Sequence, residues 1–322
     1  MKSNLQAVTE ILKSKKSFLI GGHVSPDGDS LGCMCALEIA LERMEKKVVL
    51  LSADGVPELY SFLPRSNKVV KTAPVRSSFE VGIVVDCEDI SRLGQVEEAF
   101  RSCETIIEID HHPNLERNGN FQLIWPSAAA AGEIIFELLK NMGVRIDADI
   151  ATCLLTAIIT DTGSFRFSNV TPQTFRISAE LVEKGASPSK ITQNVYENRS
   201  LSSTKLLGVV LSSLQTTDSG RIAWASITQE QLATIQASEA ETEGVVNYIR
   251  SIRGAQVGVL FRECPDGSTR VSLRSRDGSD ISQVARLFGG GGHRTAAGCT
   301  INHPLAHTQE LVIDAVRKWM GS

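Results

Sequence analysis

Short apolar runs alternate with longer segments of helical periodicity along the first half of this chain, and this alternation restricts the fold more than any other feature. The apolar runs have the length and β-branched content of buried strands, and they cover residues 17–22, 48–52, 81–85 and 105–109. The helical segments cover residues 30–46, 128–142 and 149–160, and a further helix is expected to begin at Thr171 and Pro172. Strands that alternate with helices favour a parallel sheet, so the sequence predicts an α/β fold.

A polar, helical stretch without a clear apolar stripe separates two parts of the chain. Beyond it we expect strands at 221–228, 257–264 and 269–275, the last two joined as a hairpin, and helices at 280–288 and 307–320. A length of 322 residues also favours two domains. The prediction is an N-terminal parallel-sheet domain over residues 1–186, a helical linker over 187–204 and a smaller C-terminal α/β domain over 205–322.

Composition and charge exclude several classes of protein. The net charge of −4 gives no global signature of nucleic-acid binding, so a polyanion would have to be bound by local clusters or by metals. The first 204 residues carry 21 lysines and arginines against 26 aspartates and glutamates, which suits a cation site in that part. Seven scattered cysteines indicate free thiols in a reducing compartment. No apolar stretch approaches the ~20 residues of a membrane span, so we expect a cytoplasmic protein that is not bound to membranes.

Side chains of the types that bind hard divalent cations stand where the apolar or helical runs end. These candidate metal ligands are His23, Asp27, Asp29, Asp86, His111 and Asp161. Four carboxylates and two imidazoles are enough for two cations with one bridging carboxylate, and such a pair can clamp the attacking and leaving oxygens of a phosphoryl displacement. Mixed oxygen and imidazole ligation suits Mn²⁺ and differs from the thiolate-rich sites of structural zinc.

The loop between the first strand and the first long helix carries three of these ligands. Pro26 and Gly28 let the side chains of this loop turn toward one point, which a regular strand would not allow. We expect Asp29 or Ser30 to cap the helix, whose N-terminal dipole favours a phosphate nearby. The alternative that Asp27 and Asp29 are ordinary turn and cap residues remains open at this stage.

A second cluster, of anion-binding residue types, lies in the C-terminal part. It comprises Arg274, Ser275, Arg276, Gly289, Gly290, Gly291, Gly292 and His293. Successive glycines allow positive φ and close backbone approach, so their N–H groups can surround an anion, and arginine can bind phosphate through two hydrogen bonds. A flexible loop is the alternative for the glycine run. No Gly-Lys-Ser or Gly-Lys-Thr sequence follows it, so it does not resemble the phosphate-binding loop of nucleoside triphosphatases.

Together these motifs resemble the DHH phosphoesterase superfamily, which is named for the triplet present here as Asp110, His111 and His112. The resemblance covers nearly the whole chain, and its other motifs are HVSPDGDSLG from His23, the strand before Asp86, DTGSFRF from Asp161 and GGGGHRTAAG from Gly289. The last of these is the signature of a DHH-associated C-terminal domain. The compact length is similar to the bacterial nano-RNase type, whose members are oligoribonucleases that also remove the 3′-phosphate of 3′-phosphoadenosine 5′-phosphate.

The resemblance implies a metal role for each candidate ligand. One Mn²⁺ would be held by His23, Asp27 and Asp86. The second would be held by Asp29, Asp86, His111 and Asp161, so that Asp86 bridges the two ions. Mg²⁺ and Co²⁺ are alternatives to Mn²⁺.

The resemblance also implies catalytic and substrate-binding roles. The implied catalytic residues are Asp86, His112 at the scissile phosphate near the leaving oxygen, and Asp110, which would orient the imidazoles. The implied substrate-binding residues are Arg166 and the C-terminal cluster of Arg274, Ser275, Arg276, the four glycines and His293. These residues would act across an active-site cleft between the two domains.

Short RNA or DNA oligonucleotides of about two to five nucleotides, or a nucleoside bisphosphate, are the substrates that the resemblance implies. The nearly neutral C-terminal part supports small substrates, because long polynucleotides need a broader positive groove. The alternatives are a cyclic or linear dinucleotide phosphodiesterase acting on cyclic di-AMP, pApA or pGpG, an inorganic pyrophosphatase, and a non-catalytic nucleotide-binding module. A pyrophosphatase would carry a different C-terminal signature, and a binding module would not need six metal ligands. Whether the protein forms a homodimer is left open.

Overall fold

Two compact units make up the chain, Met1–Asn198 and Arg199–Ser322, and each contains a six-stranded sheet. The computed structural model describes residues 2–73, 78–112, 119–217, 219–276 and 278–321. The predicted combination of an N-terminal parallel-sheet domain with a smaller C-terminal α/β domain is confirmed. The predicted cleft between them stays a prediction.

All strands of the first sheet are parallel. They are β1 (Ser17–Gly21), β2 (Lys47–Leu51), β3 (Val69–Val70), β4 (Val81–Val85), β5 (Thr105–Asp110) and β6 (Phe121–Ile124), in the spatial order β3-β2-β1-β4-β5-β6. The chain builds outward from β1 to β3 and then returns to place β4 beside β1. Strands β1 and β4 therefore flank the point where the strand order reverses, and open α/β sheets bind ligands beyond the carboxyl ends of the strands at such a point.

A hydrophobic core lies on each face of this sheet. Phe18 and Ile20 of β1 contribute to one core and Leu19 to the other, as alternate side chains of a strand do. The helices of this unit are α1 (Lys2–Ser14), α2 (Gly28–Glu42), α3 (Glu97–Arg101), α4 (Ala131–Met142), α5 (Ala148–Asp161), α6 (Pro172–Glu183) and α7 (Pro188–Tyr196). The predicted start of α6, with Thr171 as N-cap and Pro172 in the first turn, is confirmed.

Helix α2 is buried along almost its whole length, because it packs very closely against α5. A Cβ atom at Gly32 would lie 2.4 Å from the carbonyl oxygen of Cys153, so a larger residue does not fit this contact. The N-cap of α2 is Asp27, whose Oδ1 accepts the backbone N–H groups of Asp29 and Ser30, both at 3.0 Å. The prediction that Asp29 or Ser30 caps this helix is therefore wrong, because three neighbouring side chains suit a cap and tertiary contacts decide among them.

The sheet of the second unit is mixed. Its strands are β7 (Gln215–Thr216), β8 (Ile222–Ile227), β9 (Val257–Glu263), β10 (Thr269–Ser275), β11 (Gly291–His293) and β12 (Ala296–Ile301), in the order β11-β12-β10-β9-β8-β7. Strands β8 and β9 pair in parallel, and the other neighbours pair antiparallel. The helices are α8 (Leu201–Ser212), α9 (Gln229–Thr234), α10 (Val245–Arg250), α11 (Ser282–Arg286) and α12 (Leu305–Trp319). The predicted hairpin is confirmed as β9 and β10.

The stretch predicted as a linker, residues 187–204, contains α7, a short connection and the first residues of α8. Ile191 of α7 is buried in a core of the first unit, so this helix packs within that unit. The linker boundaries stay a prediction. Across the described residues, no helix combines the length and the apolar character needed to cross a membrane. All seven cysteines are free thiols.

Candidate metal centre

The six predicted metal ligands meet at the carboxyl edge of the first sheet. His23 follows β1, Asp86 directly follows β4 and His111 directly follows β5, and these three strands are neighbours in the sheet. The N-terminus of α2 contributes Asp27 and Asp29, and α5 ends at Asp161. The ligand atoms form two groups, each with its atoms within 4.8 Å of one another: His23, Asp27 and Asp86 in one, and Asp29, His111 and Asp161 in the other. By the same distance, Asp86 and His111 also group with Asp110 and His112.

In the first group, His23 presents a ring nitrogen to two carboxylates. Its Nε2 lies 3.9 Å from Asp27 Oδ1 and 3.5 Å from Asp86 Oδ2. Its Nδ1 lies 2.7 Å from the carbonyl oxygen of Val24. Because a carbonyl can accept but not donate, this contact places a proton on Nδ1 and, in the neutral ring, leaves the Nε2 lone pair facing the carboxylates. A histidine that binds a metal through Nε2 has this tautomer.

In the second group, His111 presents its Nε2 atom to three carboxylates. The distances are 3.8 Å to Asp29 Oδ2, 3.7 Å to Asp86 Oδ1 and 3.5 Å to Asp161 Oδ2. The Nδ1 atom lies 3.3 Å from the carbonyl oxygen of Ala128, which again favours the proton on Nδ1. The buried Nε2 has no hydrogen-bond partner among the residues that the structure describes. Since a lone pair facing three carboxylates is repulsive without a cation between them, this donor set fits a divalent metal.

Asp86 joins the two groups. Its Oδ2 faces His23 and its Oδ1 faces His111, as a bridging carboxylate would. Its φ of +49° is uncommon for a residue other than glycine, and such strained conformations concentrate at functional sites. Burial raises the pKa of the Asp86 carboxyl well above its ordinary value, and nearby carboxylates, Asp29 foremost, raise it further. A bound cation would reverse this, because it favours the ionised form.

The N-terminus of α4 holds Asp29. The N–H group of Ala131 donates to Asp29 Oδ2 at 2.7 Å, and that of Gly132 donates to Oδ1 at 2.9 Å. Burial raises the pKa of Asp29, whereas His111 and these two N–H groups oppose the rise. These donors are backbone groups that lie 102 and 103 residues away along the chain, so no local sequence pattern indicates them. The small side chains at 128–132 are the one sequence feature that could have indicated such close backbone approach.

Asp110 and His112 lie beside the two groups. Asp110 Oδ1 accepts hydrogen bonds from His112 Nδ1 at 2.7 Å and from the backbone N–H groups of His111 and His112 at 2.7 and 3.2 Å. His112 Nδ1 also lies 3.8 Å from Asp86 Oδ1. Asp110 therefore contacts the ring of His112, whereas the ring of His111 is oriented by the Ala128 carbonyl group.

Arg166, the predicted substrate contact of the first unit, follows a left-handed turn. Gly163, Ser164 and Phe165 have φ values of +54°, +60° and +62°. Arg166 is exposed, and its Nε donates to the carbonyl oxygen of Gly163 at 2.5 Å. The remaining guanidinium donors lie on an exposed side chain that follows Asp161 closely in sequence. Its contact with a phosphate stays a prediction.

The predicted arginine cluster of the second unit surrounds the end of β10. Arg274 Nη1 donates to the carbonyl oxygen of Leu273 at 3.0 Å, and Nη2 lies 4.0 Å from a carboxylate oxygen of Glu243. Burial lowers the pKa of Arg274, and Glu243 opposes this. Ser275 is buried, and its hydroxyl donates to the carbonyl oxygen of Ser279 at 2.6 Å. The substrate roles of these residues, and of Arg276, stay predictions.

The glycine run has a structural use that the sequence did not indicate. The N–H groups of Gly289 and Gly290 donate to the last carbonyls of α11, those of Arg286 and Ala285, at 3.1 and 3.0 Å. They terminate that helix and are engaged within the protein. Gly291 and Gly292 belong to β11, which pairs with β12. The side chain of His293 lies outside the described part of the chain, and its role, like that of the glycines, stays a prediction.

Comparisons with known proteins match both units. The N-terminal domain of the DHH family matches residues 17–158, and the DHHA1 domain matches residues 225–322. The bifunctional oligoribonuclease and PAP phosphatase NrnA of Thermus thermophilus is 33% identical over 321 residues, which cover 98% of this chain and 94% of that protein. The protein of the same name from Bacillus subtilis is 29% identical over 300 residues, covering 91% and 93%. The crystal structure of an exopolyphosphatase-related protein from Bacteroides fragilis is similar with a TM-score of 0.94 at 25% identity, covering 99% and 97%.

Proposed function

Because the chain belongs to the DHH family, with a DHH N-terminal domain followed by a DHHA1 domain, we propose that it hydrolyses short oligoribonucleotides to mononucleotides and removes the 3′-phosphate of 3′-phosphoadenosine 5′-phosphate. The matches to the DHH and DHHA1 domains and to the Thermus relative confirm the superfamily that the motifs predict. They also confirm that the protein is a hydrolase acting on phosphoester bonds. The observation that carries the proposal is the position of His111 Nε2, which is buried among three carboxylates without a hydrogen-bond partner in the described structure.

The relatives support this choice of substrate. The Thermus and Bacillus proteins are named as oligoribonucleases and PAP phosphatases, and each matches this chain over more than nine-tenths of its length and of theirs. The match therefore includes the second unit, which we expect to bind the substrate. Neither relative is named for pyrophosphate or for cyclic or linear dinucleotides, so these alternatives are not favoured.

We assign the donor groups to two divalent cations, with Mn²⁺ as the preferred ion. His23, Asp27 and Asp86 would hold one, and Asp29, Asp86, His111 and Asp161 would hold the other. Support comes from the two tight donor groups and from Asp86, whose two oxygens face different groups. When bound, such ions stabilise negative charge on phosphoryl oxygens and lower the pKa of an attacking water.

The protein itself supplies an acid and a means of orienting it. Asp110 holds His112 through Nδ1, so we assign proton donation to the leaving oxygen to the other ring nitrogen, Nε2. The buried Asp110 carboxylate accepts from Nδ1 and so fixes the orientation of the ring, as the aspartate of a catalytic triad does for its histidine. Because its Oδ1 accepts two backbone N–H groups as well, this aspartate keeps a fixed orientation.

Positive side chains are proposed to bind the phosphates of the substrate. Arg166 is exposed and close in sequence to Asp161, and the carboxylate that pairs with Arg274 in the described part of the chain lies 4.0 Å away. Arg276 and His293 complete this assignment, together with Ser275, Gly291 and Gly292. Gly289 and Gly290, whose N–H groups donate to carbonyls of α11, are assigned to the shape of the loop. The near-neutral charge of the second unit supports a small substrate. The free thiols support the proposed cytoplasmic location.

A substrate panel tests the function. Purified protein with Mn²⁺ is offered RNA and DNA of two to five nucleotides, 3′-phosphoadenosine 5′-phosphate, pGpG, cyclic di-AMP and pyrophosphate, and products are separated by liquid chromatography. Mononucleotides from short RNA and AMP from the bisphosphate are expected, with no turnover by Asp86→Ala. Hydrolysis of pyrophosphate alone would show the proposal to be wrong, and no turnover of any compound would favour a binding module.

A further inference from the structure

One short backbone segment contacts two ligands of the second donor group, Asp29 and His111. This segment, residues 128–132, runs into the first turn of α4. Its Ala131 and Gly132 N–H groups donate to the two carboxylate oxygens of Asp29. Its Ala128 carbonyl oxygen faces Nδ1 of His111. Two of the three ligands are therefore oriented by the backbone of the 128–132 segment directly.

The third ligand, Asp161, reaches the same segment through Asn169. The Asn169 amide nitrogen donates to the Ala129 carbonyl oxygen at 2.9 Å and to the Asp161 carbonyl oxygen at 3.1 Å. It also lies 3.5 Å from Asp161 Oδ2, the oxygen that faces His111. One side-chain amide therefore connects the end of α5, where Asp161 sits, to the segment that orients the other two ligands.

The orientation of the amide group follows from its neighbours. All three atoms around this end of the Asn169 side chain are oxygens that accept hydrogen bonds, so the nitrogen and not the oxygen must lie there. Asn169 Oδ1 is then buried, and it has no hydrogen-bond partner in the part of the chain that the structure describes. A buried acceptor without a partner disfavours folding, so stability alone does not account for an asparagine at this position.

We infer that Asn169 is a positioning residue for the metal ligand Asp161. It fixes the Asp161 carboxylate relative to Asp29 and His111, so that the donor group of these three residues depends on it. Among the described residues, the hydrogen bonds of the Asn169 amide go to Ala129 and Asp161 and not to the first donor group. That group, of His23, Asp27 and Asp86, keeps its own orienting bonds, such as that of His23 to Val24. The inference rests on the proposed two-metal site and adds a residue that the motifs did not include.

Titration of the metal-free, full-length protein with Mn²⁺ tests this role by isothermal calorimetry. The variant Asn169→Leu matches asparagine in size but cannot donate a hydrogen bond, and Asn169→Ala removes the side chain. Both are expected to weaken one of the two Mn²⁺ sites by about 10–100-fold, the usual effect of removing a group that orients a metal ligand, and to leave the other unchanged. A merely structural residue would not produce this selective loss.

Asn141→Leu is the matched control, because Asn141 also donates a side-chain hydrogen bond within this unit, to Thr9 Oγ1 at 2.7 Å, and this bond does not involve a candidate metal ligand. It should leave both sites unchanged. Wild-type binding by both Asn169 variants, or equal weakening of both sites in a folded variant, would overturn the inference. If Asn169→Leu fails to fold, as judged by circular dichroism, the variant Asn169→Ser, with a smaller polar side chain, is titrated in its place. The same outcomes for the two Mn²⁺ sites then decide the inference. Because metal binding is measured, a wild-type protein that hydrolyses none of the substrate panel refutes the proposed function without affecting this test.

Discussion

Asp110 accepts a 2.7 Å hydrogen bond from Nδ1 of His112 through the same oxygen that accepts two backbone N–H groups. The Asp110 residue is 1% exposed, so little water competes for this carboxylate. Its orientation is fixed by the backbone, and rotation of the His112 ring would break the bond between them. A carboxylate held in this position fixes the ring of His112, so that Nε2 is the ring nitrogen left to act on the substrate.

Replacing Asp110 by asparagine keeps the shape of the side chain and removes its charge. We expect kcat for short RNA to fall by about 100-fold or more, in the range that general acid catalysis contributes. Mn²⁺ binding should persist, because Asp110 contacts Nδ1 of His112 and backbone groups. Steady-state kinetics and calorimetry measure the two quantities. Asp314→Asn, which removes a charge from an exposed ion pair with Arg317, is the control and should have the wild-type kcat. A wild-type kcat for Asp110→Asn would show that Asp110 does not support proton donation by His112.

Asp86 should destabilise the protein when no metal is bound. Its pKa is raised well above 3.8 in the folded protein, so its ionisation opposes folding. This effect is absent below the unfolded-state pKa and grows as pH rises through the folded-state pKa. Asparagine carries no charge and accepts the positive φ at this position.

We therefore expect Asp86→Asn to raise the melting temperature in EDTA at pH 8 by at least about 2 °C, the shift that 1 kcal/mol produces in a domain of this size. The difference should shrink as pH falls toward 4. Saturating Mn²⁺ should reverse the order, because the wild-type protein alone gains the full binding energy of both ions. Thermal unfolding followed by circular dichroism measures both conditions, and a lower melting temperature of the variant in EDTA at pH 8 would contradict the argument.

The sequence was most informative where one local pattern determines the outcome. Strand β4 was predicted with its observed bounds, because a run of five apolar, mainly β-branched residues between polar ones has few alternatives. Strand β3 has only two residues and leaves no periodic trace in the sequence. The candidate ligands were found because each follows the end of an apolar or helical run.

Contacts between distant segments could not be predicted in the same way. The choice of Asp27 rather than Asp29 as the helix cap depends on Ala131 and Gly132, whose N–H groups engage the Asp29 carboxylate. Asn169 has no motif of its own, and its contacts to Ala129 and Asp161 exist only in the folded chain. Short-range patterns thus indicate which residues bind, whereas packing decides how they are oriented.

The close contact of α2 with α5 makes Gly32 a sensitive position. Gly32→Ala would place a Cβ atom 2.4 Å from the carbonyl oxygen of Cys153, so the helices must move apart, at a cost of about 1–3 kcal/mol. Gly208→Ala, within α8, is the matched control because its added methyl group meets no described atom within 4 Å outside its chain neighbours and the backbone of its own helix. It should stabilise its helix by up to about 1 kcal/mol. Urea unfolding followed by circular dichroism measures both changes, and equal effects of the two variants would contradict the packing argument.

Arg274 should affect substrate binding rather than the chemical step. Among the described residues, the carboxylate paired with its guanidinium is that of the exposed Glu243 at 4.0 Å, which leaves positive charge for a phosphate group. Arg274→Ala is expected to raise KM for short RNA by about 10–100-fold, the effect of losing one or two charge-assisted hydrogen bonds, with little change in kcat. Arg270→Ala is the control on the same strand, because Arg270 is bonded to Thr300 Oγ1 at 3.2 Å. If Arg274→Ala lowers kcat and leaves KM unchanged, or if Arg270→Ala raises KM equally, the assignment of Arg274 to substrate binding is wrong.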